Sequence, residues 1–359
     1  MRAILLNPGP VSLSEAVRKA AVSADLCHRE PEYFRLQSHL RAELLAVYGC
    51  AADDWTAVLL GGSGTTALEA MLTTLPARDA RLLVLENGVY GERIARIAEI
   101  HAIAHEALQF GWTEAIDFER VEQSLAEGAF THVAAVHHET TTGRLNDVGR
   151  LARLCEAHGA ELLLDAVSSF GAENIPFDSP ALAACAATAN KCLHGIPGLC
   201  FVVSRRSALV QCASPPRSLY LDLSLWAARQ DQESTPFTPP VNGLLALDRA
   251  LEELRAQGGW HARHARYTRL AGRVRRGLAA RGVETMLAAE ATSCVLVSYR
   301  IPEGMTYDEI HDGLKQWGFV IYAGQGDLAA QLFRISTMGD ITDYDMERLL
   351  AAIESVFSA

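Results

Sequence analysis

Short apolar runs alternate with amphipathic stretches between about residues 55 and 205 of the sequence. The apolar runs predict buried strands at residues 56–60, 82–85, 132–136, 162–164, 183–188 and 199–203. The stretches between them predict helices at residues 65–75, 92–99, 118–126 and 148–157. Continuous apolar strands that alternate with helices are typical of a mostly parallel sheet with helices on both faces. We therefore expect an α/β domain whose ligands bind on the loops that follow the strands.

The pattern changes after residue 205. Residues 206–240 are irregular and rich in Pro and Ser, and a long helical region follows at 243–281 with a break at Gly258 and Gly259. The last third mixes predicted strands (293–299, 319–322 and 332–336) with helices, two of which begin at the capping boxes of Thr306 and Thr342. The sequence thus predicts a large α/β domain over residues 1–245 and a smaller α+β domain over residues 246–359.

Composition and charge narrow the classes of function. The 43 acidic and 32 basic residues among 359 give a net charge of −11, which disfavours general binding to nucleic acid or to anionic membranes. No uncharged apolar stretch reaches the roughly 18 residues of a membrane span, and the N-terminal apolar run is too short for a signal peptide. The eight cysteines include no C-x-x-C pair. We expect reduced thiols and a cytoplasmic location.

A glycine-rich turn follows the first predicted strand and opens a helix. Its backbone N–H groups and hydroxyls at Ser63, Gly64 and Thr65, with the helix dipole behind them, predict a phosphate site. The same turn also matches a G-x-G-x-x-A dinucleotide fingerprint that begins at Gly62, and Glu86 closes the next strand where a ribose-binding acid belongs. A nucleotide-binding Rossmann-like protein therefore remains an alternative at this point.

A carboxylate and a lysine follow two later strands. Asp165 ends a buried strand, where a carboxylate needs a cation or a strong donor, and Lys191 follows the next strand among small residues. A partly desolvated lysine is a nucleophile for carbonyl groups. Pyridoxal 5′-phosphate requires a phosphate anchor, an acid at its ring nitrogen and a lysine that forms a Schiff base, so this combination favours it over a nicotinamide cofactor. The alternatives are a helix N-cap for Asp165 and a surface position for Lys191.

Motifs along nearly the whole chain resemble those of the class V aminotransferases of fold type I, which depend on pyridoxal 5′-phosphate, and in particular the branch that acts on phosphonates. These motifs are NPGP at 7–10, GSG at 62–64, NGVYGER at 87–93, HETTTG at 138–143, DAVSSFG at 165–171, NKC at 190–192, GIPG at 195–198, RSL at 217–219, LDL at 221–223 and FRI at 333–335. The resemblance implies a large cofactor-binding domain with a mostly parallel sheet and a smaller C-terminal α+β domain.

The resemblance also implies roles for particular residues. Lys191 and Asp165 would be catalytic, Tyr90 would stack on the cofactor ring, and Thr140 would bind its phenolic oxygen. The full predicted cofactor set is Ser63, Gly64, Thr65, Tyr90, Thr140, Asp165, Ser168, Asn190, Lys191 and, from the neighbouring subunit of a homodimer, Thr238. Arg334 would bind the acidic group of the substrate.

One segment departs from the family pattern. Where the phosphonate branch carries an acidic and aromatic stretch, this chain reads LCHREPEY at residues 26–33, so Arg29 offers a second cation for the substrate. His137 and His138 are adjacent on a predicted strand and point to opposite faces, so no metal site is expected there.

The activity that the resemblance implies is amino transfer between 2-aminoethylphosphonate and pyruvate, which yields phosphonoacetaldehyde and alanine or runs in reverse. Two related activities remain open within the same class of enzyme. One is an alanine– or serine–glyoxylate (or pyruvate) aminotransferase, and the other is a transaminase of a related aminophosphonate such as a hydroxylated one.

Overall fold

The computed structural model describes residues 3–212 and 214–357. In chain order its strands are β1 (Ile4–Leu5), β2 (Trp55–Gly61), β3 (Arg81–Glu86), β4 (Ala104–Gln109), β5 (His132–Val136), β6 (His138–Glu139), β7 (Arg144–Leu145), β8 (Glu161–Asp165), β9 (Leu182–Thr188), β10 (Leu199–Arg205), β11 (Leu296–Arg300), β12 (Phe319–Val320), β13 (Tyr322–Ala323) and β14 (Leu332–Ser336). Its α-helices are α1 (Glu15–Ala20), α2 (Pro31–Ala46), α3 (Gly64–Thr74), α4 (Val89–Ile100), α5 (Phe118–Glu127), α6 (Val148–Ala157), α7 (Arg206–Val210), α8 (Leu223–Asp231), α9 (Val241–Ala256), α10 (Gly259–Ala279), α11 (Tyr307–Gln316) and α12 (Asp343–Phe357).

Seven strands form the central sheet in the order β2-β10-β9-β8-β5-β3-β4. β10 is antiparallel to both of its neighbours, and the remaining pairs are parallel. The predicted mostly parallel sheet is therefore confirmed, as are the six strands expected from the apolar runs. The ends of β2, β8 and β9 and the start of β10 meet at one edge of this sheet. This edge carries the glycine-rich turn, Asp165 and the segment that leads to Lys191.

The period-two alternation of the strands divides the core between the two faces of the sheet. In β2, Ala57 and Leu59 pack on one face together with α2, α6 and α9, whereas Val58 and Leu60 pack on the other face with α3, α4 and α8. Because both faces of the strands are buried, their sequences are apolar almost without interruption.

The edge strand β4 was absent from the strands expected from the apolar runs. Its sequence is AHEALQ, and none of its residues is fully buried. An edge strand of a covered sheet can remain polar because it has a neighbour on only one side, so the apolar-run criterion missed it. The predicted break in the long helical region is confirmed, because Gly258 separates α9 from α10 in a left-handed conformation with φ +97°.

A second unit is built from both ends of the chain. β11, β14 and β13 form an antiparallel sheet, and a separate core cluster joins α10, α11 and α12 to Ile4 and Leu6. β1 pairs in parallel with β12, so the N-terminal strand belongs to this unit. The domain division at residue 245 stays a prediction. Leu244, Leu247, Leu251 and Leu254 of α9 belong to the same core cluster as residues of the central sheet, which favours a boundary nearer Gly258.

Among the described helices, none is both long enough and apolar enough to cross a membrane.

Candidate active site

A cavity of about 260 Å³ opens at the edge of the central sheet where β2, β8 and β9 end. Its lining residues are Pro8, Gly9, Ser63, Gly64, Thr65, Leu68, Tyr90, Arg93, Asp165, Val167, Thr188, Asn190, Lys191, Tyr322, Gln325 and Arg334. Eight of the residues singled out from the sequence are in this set: Ser63, Gly64, Thr65, Tyr90, Asp165, Asn190, Lys191 and Arg334. The sheet thus brings together side chains that lie far apart in the sequence.

The glycine-rich turn forms the N-terminus of α3, and Ser63 is its N-cap residue. The Ser63 N–H donates to Thr66 Oγ1 at 3.2 Å, which fixes the turn. A Cβ atom on Gly62 would overlap Thr66, and one on Gly64 would lie 2.5 Å from Val167 Cγ1, so both positions require glycine. Ser63, Gly64 and Thr65 line the cavity, so the N-terminus of α3 is placed where it can bind a phosphate.

Arg93 reaches this turn from α4, near the start of the helix, and was not among the residues selected from the sequence. Its Nη1 donates to Thr65 Oγ1 at 3.2 Å, and its guanidinium lies 4.6 Å from the centroid of the Tyr90 ring. The signal that could have identified it is its i, i+3 spacing from Tyr90, which places both side chains on one face of a helix. Arg93 adds a positive charge to the phosphate turn.

A buried carboxylate holds the start of α4 in place. Glu139 Oε2 accepts a hydrogen bond from the Tyr90 N–H at 3.2 Å, and Glu139 Oε1 accepts from the N–H and the hydroxyl of Thr141. Gly88 lies so close to Glu139 that a Cβ atom there would overlap its side chain. Burial raises the pKa of Glu139, while the hydrogen bonds from Thr141 and Tyr90 oppose that rise. These contacts position Tyr90 at the cavity wall.

Asp165 is buried at the end of β8. Its Oδ1 accepts a hydrogen bond from the Val167 N–H at 2.9 Å. Burial raises the pKa of Asp165, whereas this hydrogen bond and the positive charges of Lys191 and Arg93 oppose the rise. A cationic group bound in the cavity would therefore stabilise the ionised carboxylate.

Lys191 follows β9 and extends along the cavity beside the N-terminal segment. A Cβ atom on Gly9 would lie 3.2 Å from Lys191 Cγ and 3.3 Å from its Cε, so Gly9 leaves just enough room for the aliphatic stem. The preceding residue is held by a hydrogen bond from the Thr188 hydroxyl to Asn190 Oδ1 at 2.7 Å. Among the described residues, the Lys191 amine has no hydrogen-bond or carboxylate partner, and it lines the cavity.

Arg334 closes the cavity from the second unit. It lies on β14 and is 3% exposed. Its Nε donates to the Ala323 carbonyl at 2.8 Å, and its Nη1 donates to the Thr140 carbonyl at 2.8 Å and to Gln325 Oε1 at 3.1 Å. Burial lowers the pKa of Arg334, although Tyr90 and Glu139 oppose this. No carboxylate pairs with it within residues 3–212 and 214–357, so it is suited to bind an anion.

Four predicted site residues lie outside the lining of this cavity. Thr140 is buried next to it, and its hydroxyl has no hydrogen-bond partner in the described part of the chain. The Ser168 hydroxyl donates to the His138 carbonyl at 2.9 Å, which is a contact within the protein. Thr238 and Arg29 are exposed. The cofactor roles of Ser168 and Thr238 and the substrate role of Arg29 stay predictions.

Comparisons with known proteins agree with this geometry. A family model described as Aminotransferase class-V matches residues 41–337. The chain is 37% identical over 358 residues to a 2-aminoethylphosphonate–pyruvate transaminase of Phocaeicola vulgatus, with 98% of each chain covered. It is 40% identical over 356 residues to a protein of the same name from Syntrophobacter fumaroxidans, with 97% of this chain and 95% of the relative covered.

The solved structures give the same result for the fold. An aspartate aminotransferase of subgroup IV from Thermus thermophilus superimposes with a TM-score of 0.90 at 27% identity, over 99% of both chains. The chain belongs to the class V aminotransferases. It is an enzyme of fold type I, and the alternative of a non-enzymatic nucleotide-binding protein is wrong.

The cofactor of this aminotransferase is pyridoxal 5′-phosphate, and the residues at the cavity fit it. The N-terminus of α3 with Arg93 suits the phosphate, and the buried Asp165 suits a protonated ring nitrogen. The unpartnered hydroxyl of Thr140 is available to the phenolic oxygen of the ring, and Lys191 offers a free amine. Each polar group of the cofactor thus has a complementary group in this chain.

Proposed function

We propose that this enzyme transfers the amino group between 2-aminoethylphosphonate and pyruvate, which are converted to phosphonoacetaldehyde and alanine. The observation that carries the proposal is that Lys191 and Arg334 line the same cavity. Arg334 is buried without a carboxylate partner among the described residues, which is a costly arrangement unless an anionic ligand completes it. Near-full-length similarity to transaminases of this substrate supports the phosphonate as that anion.

The chemistry is divided between the cofactor and the protein. Pyridoxal phosphate, when bound, supplies an aldehyde that takes up an amino group and a ring that accepts the electrons of a substrate carbon–hydrogen bond. Ser63, Gly64, Thr65 and Arg93 hold its phosphate. Asp165 keeps the ring nitrogen protonated, because a buried carboxylate stabilises an adjacent cation. Tyr90 and Thr140 orient the ring.

Lys191 has two successive tasks. With the cofactor bound, the Lys191 amine would hold it covalently. When free, the same amine would act as the base that takes a proton from the substrate carbon that bears nitrogen, and then as the acid that returns it. The close contact of its stem with Gly9 limits the positions that the amine can adopt.

We further propose that the enzyme is a cytoplasmic homodimer in which Thr238 approaches the cofactor phosphate of the neighbouring subunit. Thr238 is exposed, and the nearby segment exposes Leu219 by 74%, which is an apolar surface that a second copy can cover. The eight free cysteines, most of them buried, fit a reducing compartment. Light scattering that gives a monomer mass for the fully active enzyme would contradict the dimer.

The decisive experiment compares amino donors. We expect kcat/KM to be higher for 2-aminoethylphosphonate than for alanine, serine or a hydroxylated aminoethylphosphonate, with pyruvate or glyoxylate as acceptor. A preference for serine or alanine over both phosphonates would replace the proposal with an alanine– or serine–glyoxylate type of enzyme. A preference for the hydroxylated compound would keep the phosphonate class and change the substrate.

A further inference from the structure

Gln325 lies beside Arg334 on the cavity wall, and its amide has a defined orientation. Gln325 Oε1 accepts a hydrogen bond from Arg334 Nη1 at 3.1 Å. A guanidinium has only donors, so the oxygen of the amide must face it and the NH₂ group must point elsewhere. Gln325 also lines the cavity, and its Nε2 has no hydrogen-bond partner among residues 3–212 and 214–357. The amide therefore presents free donors next to the guanidinium.

The donors of Arg334 are largely used by the protein. Its Nε binds the Ala323 carbonyl, and its Nη1 binds both the Thr140 carbonyl and Gln325 Oε1. Of the five N–H donors of a guanidinium, the two on Nη2 remain for a ligand. These two N–H bonds diverge, so only one of them can make a well-aligned bond to a given acid group. A phosphonate has three oxygens and more negative charge than a carboxylate, so it gains more from a further donor.

Gln325 sits on a segment that is held in place from both sides. The Gly324 N–H donates to the Leu332 carbonyl at 2.8 Å, and the Gln325 carbonyl accepts from the Leu328 N–H at 3.0 Å. A Cβ atom on Gly326 would lie 2.7 Å from the Trp112 ring, so the segment packs tightly against that indole. Gln325 is thus positioned by the fold, which lowers the entropy lost when its side chain binds a ligand.

We propose that Gln325 is a specificity-determining residue that donates a hydrogen bond from Nε2 to the third oxygen of a substrate phosphonate. Arg334 Nη2 binds another oxygen of the phosphonate and supplies the positive charge. A carboxylate has fewer oxygens and less negative charge, so it gains less from Gln325. The inference rests on the proposed function, because it assumes a phosphonate at Arg334, and it adds the residue that distinguishes phosphonates from carboxylates.

The test measures binding of unreactive acids to the holoenzyme by isothermal titration calorimetry. Ethylphosphonate and propanoate lack the amino group, so neither can react. In Gln325→Met, which keeps the length of the side chain and removes its donors, we expect the dissociation constant of ethylphosphonate to rise about tenfold, as for loss of one hydrogen bond to a charged group. The dissociation constant of propanoate should change less than about threefold. Equal changes for the two acids would overturn the inference.

Two further variants keep the result interpretable. Gln331→Met is the matched control, because Gln331 is exposed and its Nε2 donates to the Asp327 carbonyl on the same segment; both dissociation constants should be unchanged. If Gln325→Met does not fold, Gln325→Asn gives the same comparison, because its shorter amide falls short of the third oxygen. An ethylphosphonate constant unchanged in Gln325→Asn would then overturn the inference.

Turnover of the unsubstituted enzyme separates the two hypotheses. Suppose that the unsubstituted enzyme forms alanine from 2-aminoethylphosphonate and pyruvate, while Gln325→Met weakens the binding of both acids equally. The role of Gln325 is then wrong and the proposed function stands. If the unsubstituted enzyme forms no alanine but Gln325→Met selectively weakens the binding of ethylphosphonate, the proposed reaction is wrong and Gln325 still recognises phosphonates.

Discussion

The side chain of Lys191 has no hydrogen-bond or ion-pair partner in the part of the chain that the structure describes, although Asp165 and Arg93 line the same cavity. This isolation leaves its amine available for covalent chemistry. The residues that we propose to anchor the cofactor phosphate are others, at the N-terminus of α3 and at Arg93. Binding of the cofactor and reaction with it are therefore separable at the scale of single residues.

The substitution Lys191→Ala tests that separation. We expect turnover, measured as alanine formation, to fall by at least about 100-fold, because the group that moves the proton is gone. The variant should still bind pyridoxal phosphate non-covalently, which equilibrium dialysis would measure. Lys191→Arg is the matched control, since it keeps a cation without a nucleophilic amine and should be equally inactive. Near-normal turnover in either variant would contradict the mechanism.

Helix α3 connects the phosphate turn to Asp165 through a single close approach. Gly64 at its first residue packs on Val167, and the Val167 N–H donates to Asp165 Oδ1. A shift of α3 at this point therefore moves the Asp165 hydrogen bond as well. The proposed phosphate site and the carboxylate of Asp165 are thus coupled by the packing of one helix against the loop after β8.

We expect Gly64→Ala to weaken cofactor binding about tenfold, because the added Cβ would lie 2.5 Å from Val167 Cγ1 and overpacking of this kind costs about 1–3 kcal/mol. Equilibrium dialysis of pyridoxal phosphate measures the effect. Gly149→Ala in α6 is the matched control, since the nearest atom to its Cβ would be Asp147 Oδ1 at 3.5 Å. A Gly64→Ala variant with unchanged affinity would show that the helix adjusts without cost.

At the scale of the whole molecule, one buried acid joins the two units. Glu173 lies in the loop between β8 and β9, and its Oε1 accepts hydrogen bonds from the Ser293 hydroxyl at 2.5 Å and the Cys294 N–H at 2.9 Å. Its Oε2 lies 3.2 Å from Nδ1 of His264 on α10. Burial raises the pKa of Glu173, but the hydrogen bonds from His264 and Ser293 outweigh it and hold this pKa at about 2.

This contact makes the stability of the protein depend on pH. The hydrogen bond with Glu173 raises the pKa of His264 above its ordinary value of 6.5. A raised histidine pKa stabilises the folded state below the unfolded pKa, and the effect is lost as pH rises through the folded pKa. We therefore expect His264→Gln to lower the melting temperature more at pH 6 than at pH 9. The control is His158→Gln, because His158 lies at the end of α6. If His264→Gln lowered the melting temperature equally at both pH values, that result would contradict the ion pair between His264 and Glu173.

The fold class and the chemistry of the site could be predicted from local sequence. Strands β2, β3, β5, β8, β9 and β10 are apolar on both faces, so each produces a continuous run that is visible without knowledge of its neighbours. The Gly-rich turn, Asp165 and Lys191 each follow one of these strands. Because strands of like direction end at one edge of a sheet, the sequence by itself determined that these three groups would meet, and hence the class of cofactor.

Other features depend on contacts between distant parts of the chain. The two-residue strand β1 and the partly polar edge strand β4 are defined by the partners they pair with. Ser168 looks like a cofactor ligand in its motif, yet only the tertiary structure shows that its hydroxyl binds the His138 carbonyl. Such hydrogen bonds depend on distances of a few tenths of an ångström, and sequence spacing does not specify them.

The surroundings of Arg334 in the cavity were decided almost entirely by the tertiary structure. The sequence selected Arg334, but the groups that occupy its Nε and Nη1 come from residues 140, 323 and 325 on different elements. Arg93 and Gln325 were not selected from the sequence, and the structure places both at the cavity, on α4 and on the segment between β13 and β14. The reason is physical: a strand pattern reports which side chains are buried, whereas the free donors of a buried cation depend on every group that the fold packs around it.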